Sequence, residues 1–182
     1  MLVDQIVSYL EMTSSHDLVP CKAPPSPIKL VSLGPESREL IYSTYFRITT
    51  PPTYWISRLT WSPQQWDDHL NDSKLQVWMP YIDNEPAGLA EIVTHGDGNC
   101  EIQLFGLIPE LIGKGYGSHF LAQIVELAWT SKQANRSDTQ RVWLHTSTLD
   151  HPHALSNYIT RGFRVYNEVL NQKEVPNYSA GR

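Results

Sequence analysis

The run Ile112-Gly113-Lys114-Gly115-Tyr116-Gly117-Ser118 holds the residue types that a phosphate ester needs around it. Three alternating glycines let the backbone approach a ligand closely. A helix reading onward from Ser118 sets unpaired N–H groups and the positive end of its dipole behind them. Lys114 adds a positive charge. The combination suits a pyrophosphate. It is not a Walker A loop, which needs Gly-Lys-Ser/Thr after four spacer residues. Nor is it a dinucleotide fingerprint, because the third glycine comes one residue early and the strands before it read as antiparallel. A tight turn without a ligand is the plainer alternative for the loop taken alone.

A second feature is Tyr158-Ile159-Thr160-Arg161-Gly162-Phe163. A tyrosine one turn from a helix end, then Gly-Phe entering a strand, reads equally as core packing with Gly162 as the cap. Glu101 and Gln103 alternate along one strand, so both should face the same side. A solvated strand carboxylate is the bland reading of Glu101. From Tyr42 to Trp66 the chain is dense in rings: Tyr42, Tyr45, Phe46, Tyr54, Trp55, Trp61 and Trp66. Arg47 and Arg58 sit among them and could recognise a carboxylate or phosphate. The rings could equally pack helices onto a sheet. His145, His151 and His153 with Asp150 raise the question of a metal. One lies on a strand and the others at a helix start, so a cap, a surface group or a ligand contact is the simpler reading, and no metal is expected.

These residues must be held by elements whose order is readable. Residues 1–27 read as an extended arm, with a short strand at 7–12 and prolines at Pro20, Pro24, Pro25 and Pro27 that restrict the chain to extended forms. Residues 28–33 read as a strand and 36–48 as a helix. Ser62-Pro63 before Gln64-Gln65-Trp66 resembles a capped helix start. Strands follow at 77–82, 87–95 and 100–108, joined by Asp83-Asn84-Glu85-Pro86 and Gly96-Asp97-Gly98-Asn99, so an antiparallel meander is expected. The period then changes. Residues 118–129 place Phe120, Leu121, Ile124, Val125 and Ala128 on one helical face. A polar loop, a strand at 141–147, a short helix at 152–161 and a strand at 163–169 complete the chain.

The 182 residues fit one domain, 41% apolar composition suffices for a core, and 18% charge is too low for a disordered chain. A net charge of −5, without a long run of Lys or Arg, excludes binding to nucleic acid through a concentrated basic face. Two cysteines, Cys21 and Cys100, outside any CxxC arrangement, do not suggest a disulfide framework or a zinc site. Met1-Leu2-Val3-Asp4 has an acid where a signal peptide would be basic, and no stretch nears the ~20 apolar residues of a membrane helix. A cytoplasmic location without membrane contact is the expectation.

Taken together, these motifs and this order of elements resemble the GNAT superfamily of N-acetyltransferases, over residues 28–170. The resemblance implies an α/β (α+β) fold, a mixed and mostly antiparallel central sheet flanked by helices, with residues 28–182 as the acyl-CoA N-acyltransferase domain. Gly115 and Gly117 match the family loop, Gln/Arg-x-x-Gly-x-Gly/Ala, while Ile112 replaces its leading side chain. Phe105-Gly106-Leu107-Ile108-Pro109 is similar to the segment that runs beside the pantetheine arm. The run Thr146 to Pro152 resembles one branch of uncharacterised bacterial members. Acetyl-CoA is therefore the implied cosubstrate, contacted by Phe105, Leu107, Ile112, Gly113, Lys114, Gly115, Tyr116, Gly117 and Ser118. His151 stands where many members carry an asparagine. Tyr158 takes the position of the general acid toward the departing thiolate, and Glu101 that of the base. The family's acceptor pocket falls among Arg47, Trp55, Arg58 and Gln103. The acceptor is a primary amine on a small molecule or a protein, a homodimer is left open, and a non-catalytic acyl-CoA binding or regulatory module is the alternative.

Overall fold

The computed structural model describes residues 1–49, 57–131 and 138–175. One sheet organises them. Its strands are β1 (Leu2–Met12), β2 (Lys29–Leu33), β3 (Leu75–Ile82), β4 (Glu85–Pro86), β5 (Gly88–Thr94), β6 (Asn99–Leu107), β7 (Arg141–Ser147) and β8 (Arg164–Glu174). They lie in the order β2-β3-β5-β6-β7-β1-β8, with β4 attached to β3. Every pair is antiparallel except β6 with β7. The expected mixed, mostly antiparallel sheet is therefore present.

Local chemistry explains several boundaries. Helix α1 (Arg38–Ile48) follows a short 3-10 turn, and α2 (Pro63–Leu70) begins where Ser62 predicts. The Ser62 hydroxyl accepts from the Gln65 N–H at 3.3 Å while Gln65 Oε1 accepts from the Ser62 N–H at 2.8 Å, a closed capping box. Asp83 and Asn84 adopt positive φ, 52° and 67°, in the turn between β3 and β4, as a tight hairpin requires. Helix α3 (Gly117–Thr130) buries the predicted stripe of Phe120, Leu121, Ile124, Val125 and Ala128.

Two cores lie on opposite faces of the sheet. Helix α3 and α4 (Ala154–Thr160) cover one, with Leu10, Ile92, Ile102 and Leu144 beneath them. Helices α1 and α2 cover the other, with Tyr45 and Trp66 against Val77, Met79 and Leu89. Strand β6 changes its facing midway. Ile92 pairs with Ile102 but Glu91 with Leu104, so Gln103 is an extra residue, a β-bulge that re-aims the strand.

The largest departure concerns the N-terminus. The strand expected at 7–12 within the extended arm begins earlier, at Leu2, and as β1 it lies inside the sheet, paired with β7 on one side and β8 on the other. Leu10 and Met12 are fully buried there, and that burial holds the strand in place. The following segment, through Pro27, crosses the ends of two helices. The Val19 N–H donates to the Arg161 carbonyl at 3.0 Å and Arg161 Nη1 to the Val19 carbonyl at 2.9 Å. Strand β8 also runs further than predicted, to Glu174, because its long pairing with β1 extends an otherwise exposed edge.

Candidate active site

The parallel contact between β6 and β7 lasts only from Asn99↔Arg141 to Glu101↔Trp143. Beyond it the strands part. Residues 104–107 of β6 remain paired with β5 on one edge and, among the described residues, have no strand on the other. That unpaired edge can bond an extended ligand as a further strand would.

Past β6 the chain turns through Pro109–Leu111 and reaches α3 by way of Gly113 and Gly115, at φ 77° and 87°. Only glycine takes these angles without strain. The Lys114 N–H is turned back to the Leu111 carbonyl, and that of Phe120 is the first to reach within the helix, to Tyr116. The N–H groups of Gly117, Ser118 and His119 thus lie in the first turn, without an intrahelical acceptor and at the positive end of the dipole.

A groove of about 410 Å³ runs along this edge. Phe105, Gly106 and Leu107 form one wall; Ile112, Gly113, Gly115, Gly117 and Ser118 close its end; His151, Asn157 and Tyr158 form the other wall. Nine residues expected to contact the cosubstrate or act on it are thereby brought together: Phe105, Leu107, Ile112, Gly113, Gly115, Gly117, Ser118, His151 and Tyr158. Two are placed differently. The Lys114 side chain is exposed beyond the groove, and the Tyr116 ring is buried in the core beneath α3, 7% exposed. Asn157 escaped sequence reading; it bonds Ser118 Oγ at 2.8 Å and so ties α4 to the loop. Its spacing of three from Ala154, which places both on one face of α4, is the signal that could have found it.

Tyr158 is 6% exposed, edge-on to Phe105 and to Phe163, both at 6.2 Å between centroids. Burial, reinforced by the charge of Asp150, pushes its phenol well above the usual tyrosine range. At neutral pH the side chain is a proton donor.

A smaller cavity, about 210 Å³, lies on the α1/α2 side of the split. Tyr45, Arg58, Gln103 and His145 line it, joined by Gln5 and Lys173 from the N- and C-terminal strands. Asp150 lines both spaces. Its carboxylate accepts from Thr146 Oγ1 at 2.6 Å and from the Ser147 N–H at 2.8 Å, which fixes it at the junction.

Of the expected acceptor residues, Arg58 and Gln103 reach this cavity and bond each other at 3.3 Å. Arg58 also pairs at 2.7 Å with Glu91, a fully buried carboxylate. Arg47 is on the outer side of α1, paired with Glu110 at 3.4 Å. Trp55 lies outside the described residues. Most rings of the region pack: Trp66 meets Tyr42, Tyr45 and Trp61 edge-on at 5.8, 5.6 and 5.2 Å, locking α1 to α2. Glu101 shares a face with Gln103, as its alternation predicts, but it does not line the cavity. Its Oε2 bonds His95 Nε2 at 3.0 Å, and its Oε1 lies 4.0 Å from His145 Nδ1. Among the described residues, no three His, Cys, Asp or Glu side chains gather as a metal would require. No described helix is long and apolar enough to cross a membrane.

Residues 39–163 match the profile of the acetyltransferase (GNAT) family. No curated protein matches the chain. A GCN5-related N-acetyltransferase from Kribbella flavida is similar in structure with a TM-score of 0.62 at 14% identity, over 94% of this chain and 58% of its own. One from Sphaerobacter thermophilus gives 0.62 at 16%, over 94% and 52%. An aminoglycoside acetyltransferase from an uncultured soil metagenomic sample, solved in complex with sisomicin, gives 0.56 at 10%, over 74% and 87%. At such identities the likeness is one of fold. The chain spans little more than half the length of the first two.

Proposed function

We propose a function from one premise, that the chain belongs to the acetyltransferase (GNAT) family. It is an acetyl-CoA-dependent N-acetyltransferase: the larger groove holds the cosubstrate and the smaller cavity a primary amine. One observation carries this reading. Asp150 lines both spaces where β6 and β7 part, so a thioester in one lies beside an amine in the other.

The residues fit the group. The N–H donors of the first turn of α3, beside two glycines at positive φ, suit a pyrophosphate, and Lys114 adds charge from outside. The free edge of residues 105–107 suits the amides of a pantetheine arm. Bound there, acetyl-CoA supplies an activated acyl carbon. Tyr158, kept protonated by burial, gives the sulfur its proton, and the carboxylate of Glu101 supports proton removal from the amine. The polar lining and modest size of the cavity favour a small acceptor.

Calorimetry and thermal shift with acetyl-CoA, CoA and ATP test binding: the first two should stabilise the protein and ATP should not. Thiol release from acetyl-CoA over a panel of primary amines tests chemistry. Tyr158→Phe should lower kcat by about 10²-fold or more with acetyl-CoA affinity unchanged. An absence of binding to any coenzyme A thioester ends the reading. Binding without thiol release across the panel makes the protein a sensor rather than an enzyme.

A further inference from the structure

On this acetyltransfer reading, the amine must lose a proton inside the smaller cavity, and Glu101 is not there to take it. Its side chain is 9% exposed, and its Oε2 is committed to His95. His145 does line the cavity, and it is the lining residue that approaches Glu101. We propose that His145 is the catalytic base of this enzyme and Glu101 its positioning residue.

Strand alternation sets the imidazole in place. Leu144 and Thr146 are buried on the α3 face of β7, so His145 points to the opposite face, where the cavity opens. The Tyr9 ring, from the residue paired with it in β1, lies 5.8 Å away at 36° and braces it. Glu101 Oε1, 4.0 Å from Nδ1, is too far for a hydrogen bond and within ion-pair reach. A carboxylate on that side favours the tautomer protonated at Nδ1, which leaves the Nε2 lone pair free to accept a proton. It also stabilises the imidazolium once formed. The His95 bond holds the carboxylate in that position. Other charges face the same space: Asp150 from the turn after β7, Lys173 from β8, and Arg58, whose guanidinium is paired with Glu91.

The step balances. A neutral primary amine forms the C–N bond to the acetyl carbon and passes one N–H proton to His145 Nε2. The C–S bond breaks with its electron pair on sulfur, which takes the phenolic proton of Tyr158. Transfer of the imidazolium proton to the tyrosinate through solvent restores both side chains, and amine plus thioester has become amide plus thiol.

The test is thiol release from acetyl-CoA across the pH range of histidine, with the fastest amine of the panel, or with water as acceptor where no amine is faster. His145→Gln should lower kcat by about 10²–10⁴-fold and abolish the acid limb of kcat/KM, with the acetyl-CoA Kd unchanged. Glu101→Gln should lower kcat less, with the acetyl-CoA Kd unchanged, and should let a single Nδ1–H tautomer at His145 become mixed. An unchanged rate and acid limb in His145→Gln, with acetyl-CoA still bound, overturns the base assignment and leaves acetyl transfer standing. Wild-type protein that binds no acetyl-CoA overturns both. If His145→Gln does not fold, histidine-selective NMR of the folded wild-type chain decides. A single Nδ1–H tautomer at His145 that becomes mixed in Glu101→Gln supports the assignment; a mixture indifferent to Glu101 overturns it.

Discussion

Replacing Arg58 with methionine separates a structural arginine from one that reads the acceptor. Glu91 is fully buried in the central strand β5, and Arg58 is 9% exposed. Their contact at 2.7 Å is reinforced by His69 Nε2, 3.1 Å from the same Glu91 oxygen, while Oε2 has no hydrogen-bond partner among the described residues. Burial alone would push the Glu91 carboxyl up; the His69 hydrogen bond and the charge and hydrogen bond of Arg58 outweigh it and hold the group below its usual range. Removing one partner of such a pair costs about 3–5 kcal/mol, because the remaining charge is stranded. His69 and protonation of the carboxyl relieve part of this, so Arg58→Met should cost about 3 kcal/mol. In urea, with a slope of roughly 2 kcal/mol per molar, the midpoint falls by about 1.5 M. The sign of the pH dependence follows from linkage. In the wild type the depressed Glu91 pKa contributes stability that is present above the unfolded value of 4.5 and lost as pH falls through the folded one. In Arg58→Met the same carboxyl is buried with only His69 beside it, its pKa rises, and its penalty vanishes in acid. The deficit of the variant is therefore greatest near neutral pH and narrows below the carboxylate range. Arg58→Met/Glu91→Leu should recover most of the loss, since a buried pair replaced by apolar groups is often neutral. Tryptophan-fluorescence unfolding of the three proteins at two pH values reads all of this. A cost under about 1 kcal/mol for the single variant, or a double variant as unstable as the single, refutes the structural role.

Gly162 sits at φ 104°, and a Cβ there would lie 1.9 Å from the Asp17 carbonyl oxygen, so Gly162→Ala should cost at least about 2 kcal/mol and lower Tm by 4 °C or more at roughly 2–4 °C per kcal/mol. A smaller shift in thermal unfolding means the segment after β1 does not hold α4 as described. Cys100 is fully buried, and burial pushes its thiol up to about 12 with the Glu101 charge adding to the effect. Native protein near pH 8 should therefore release one equivalent in a thiol-disulfide exchange assay, from partly exposed Cys21, and the second only in denaturant. Two fast equivalents would refute the burial argument.

What could be read from sequence was chemistry whose partners are neighbours in the chain. Ser62, Pro63 and Gln65 announce α2 because a capping box closes within one turn. Gly113 and Gly115 announce the loop because a positive φ is a property of one residue. Strand β1, of which only 7–12 could be read, was half hidden for the opposite reason. Its partners are residues 142–147 and 164–174, and its faces mix Asp4 and Ser8 with Leu10 on one side and Gln5 and Glu11 with Val7 on the other. No clean alternation survives to mark it. Gln103 looked like one more alternating residue, and only its pairing shows the bulge that turns Leu104 toward α1 and α2. Arg58 offered a charge in the right neighbourhood, but its partner Glu91 lies 33 residues away on another element.

The same distinction explains why the cosubstrate was legible and the acceptor was not. Every residue lining the larger groove, from Ile48 through Phe105 and Gly117 to Tyr158, falls within the family match at residues 39–163. The smaller cavity draws on that segment for Arg58, Gln103, His145 and Asp150, but takes Gln5 and Val7 from β1 and Lys173 from β8, all outside it. Those two strands pair with each other along most of their length, so they form one wall whose residues come from opposite ends of the chain. On the proposed reading, the chemistry of transfer is built by the shared segment, whereas part of the choice of amine is built by strands that the family pattern does not reach. Substitutions at Gln5 or Lys173 should accordingly change which amines are accepted without changing how tightly acetyl-CoA is held.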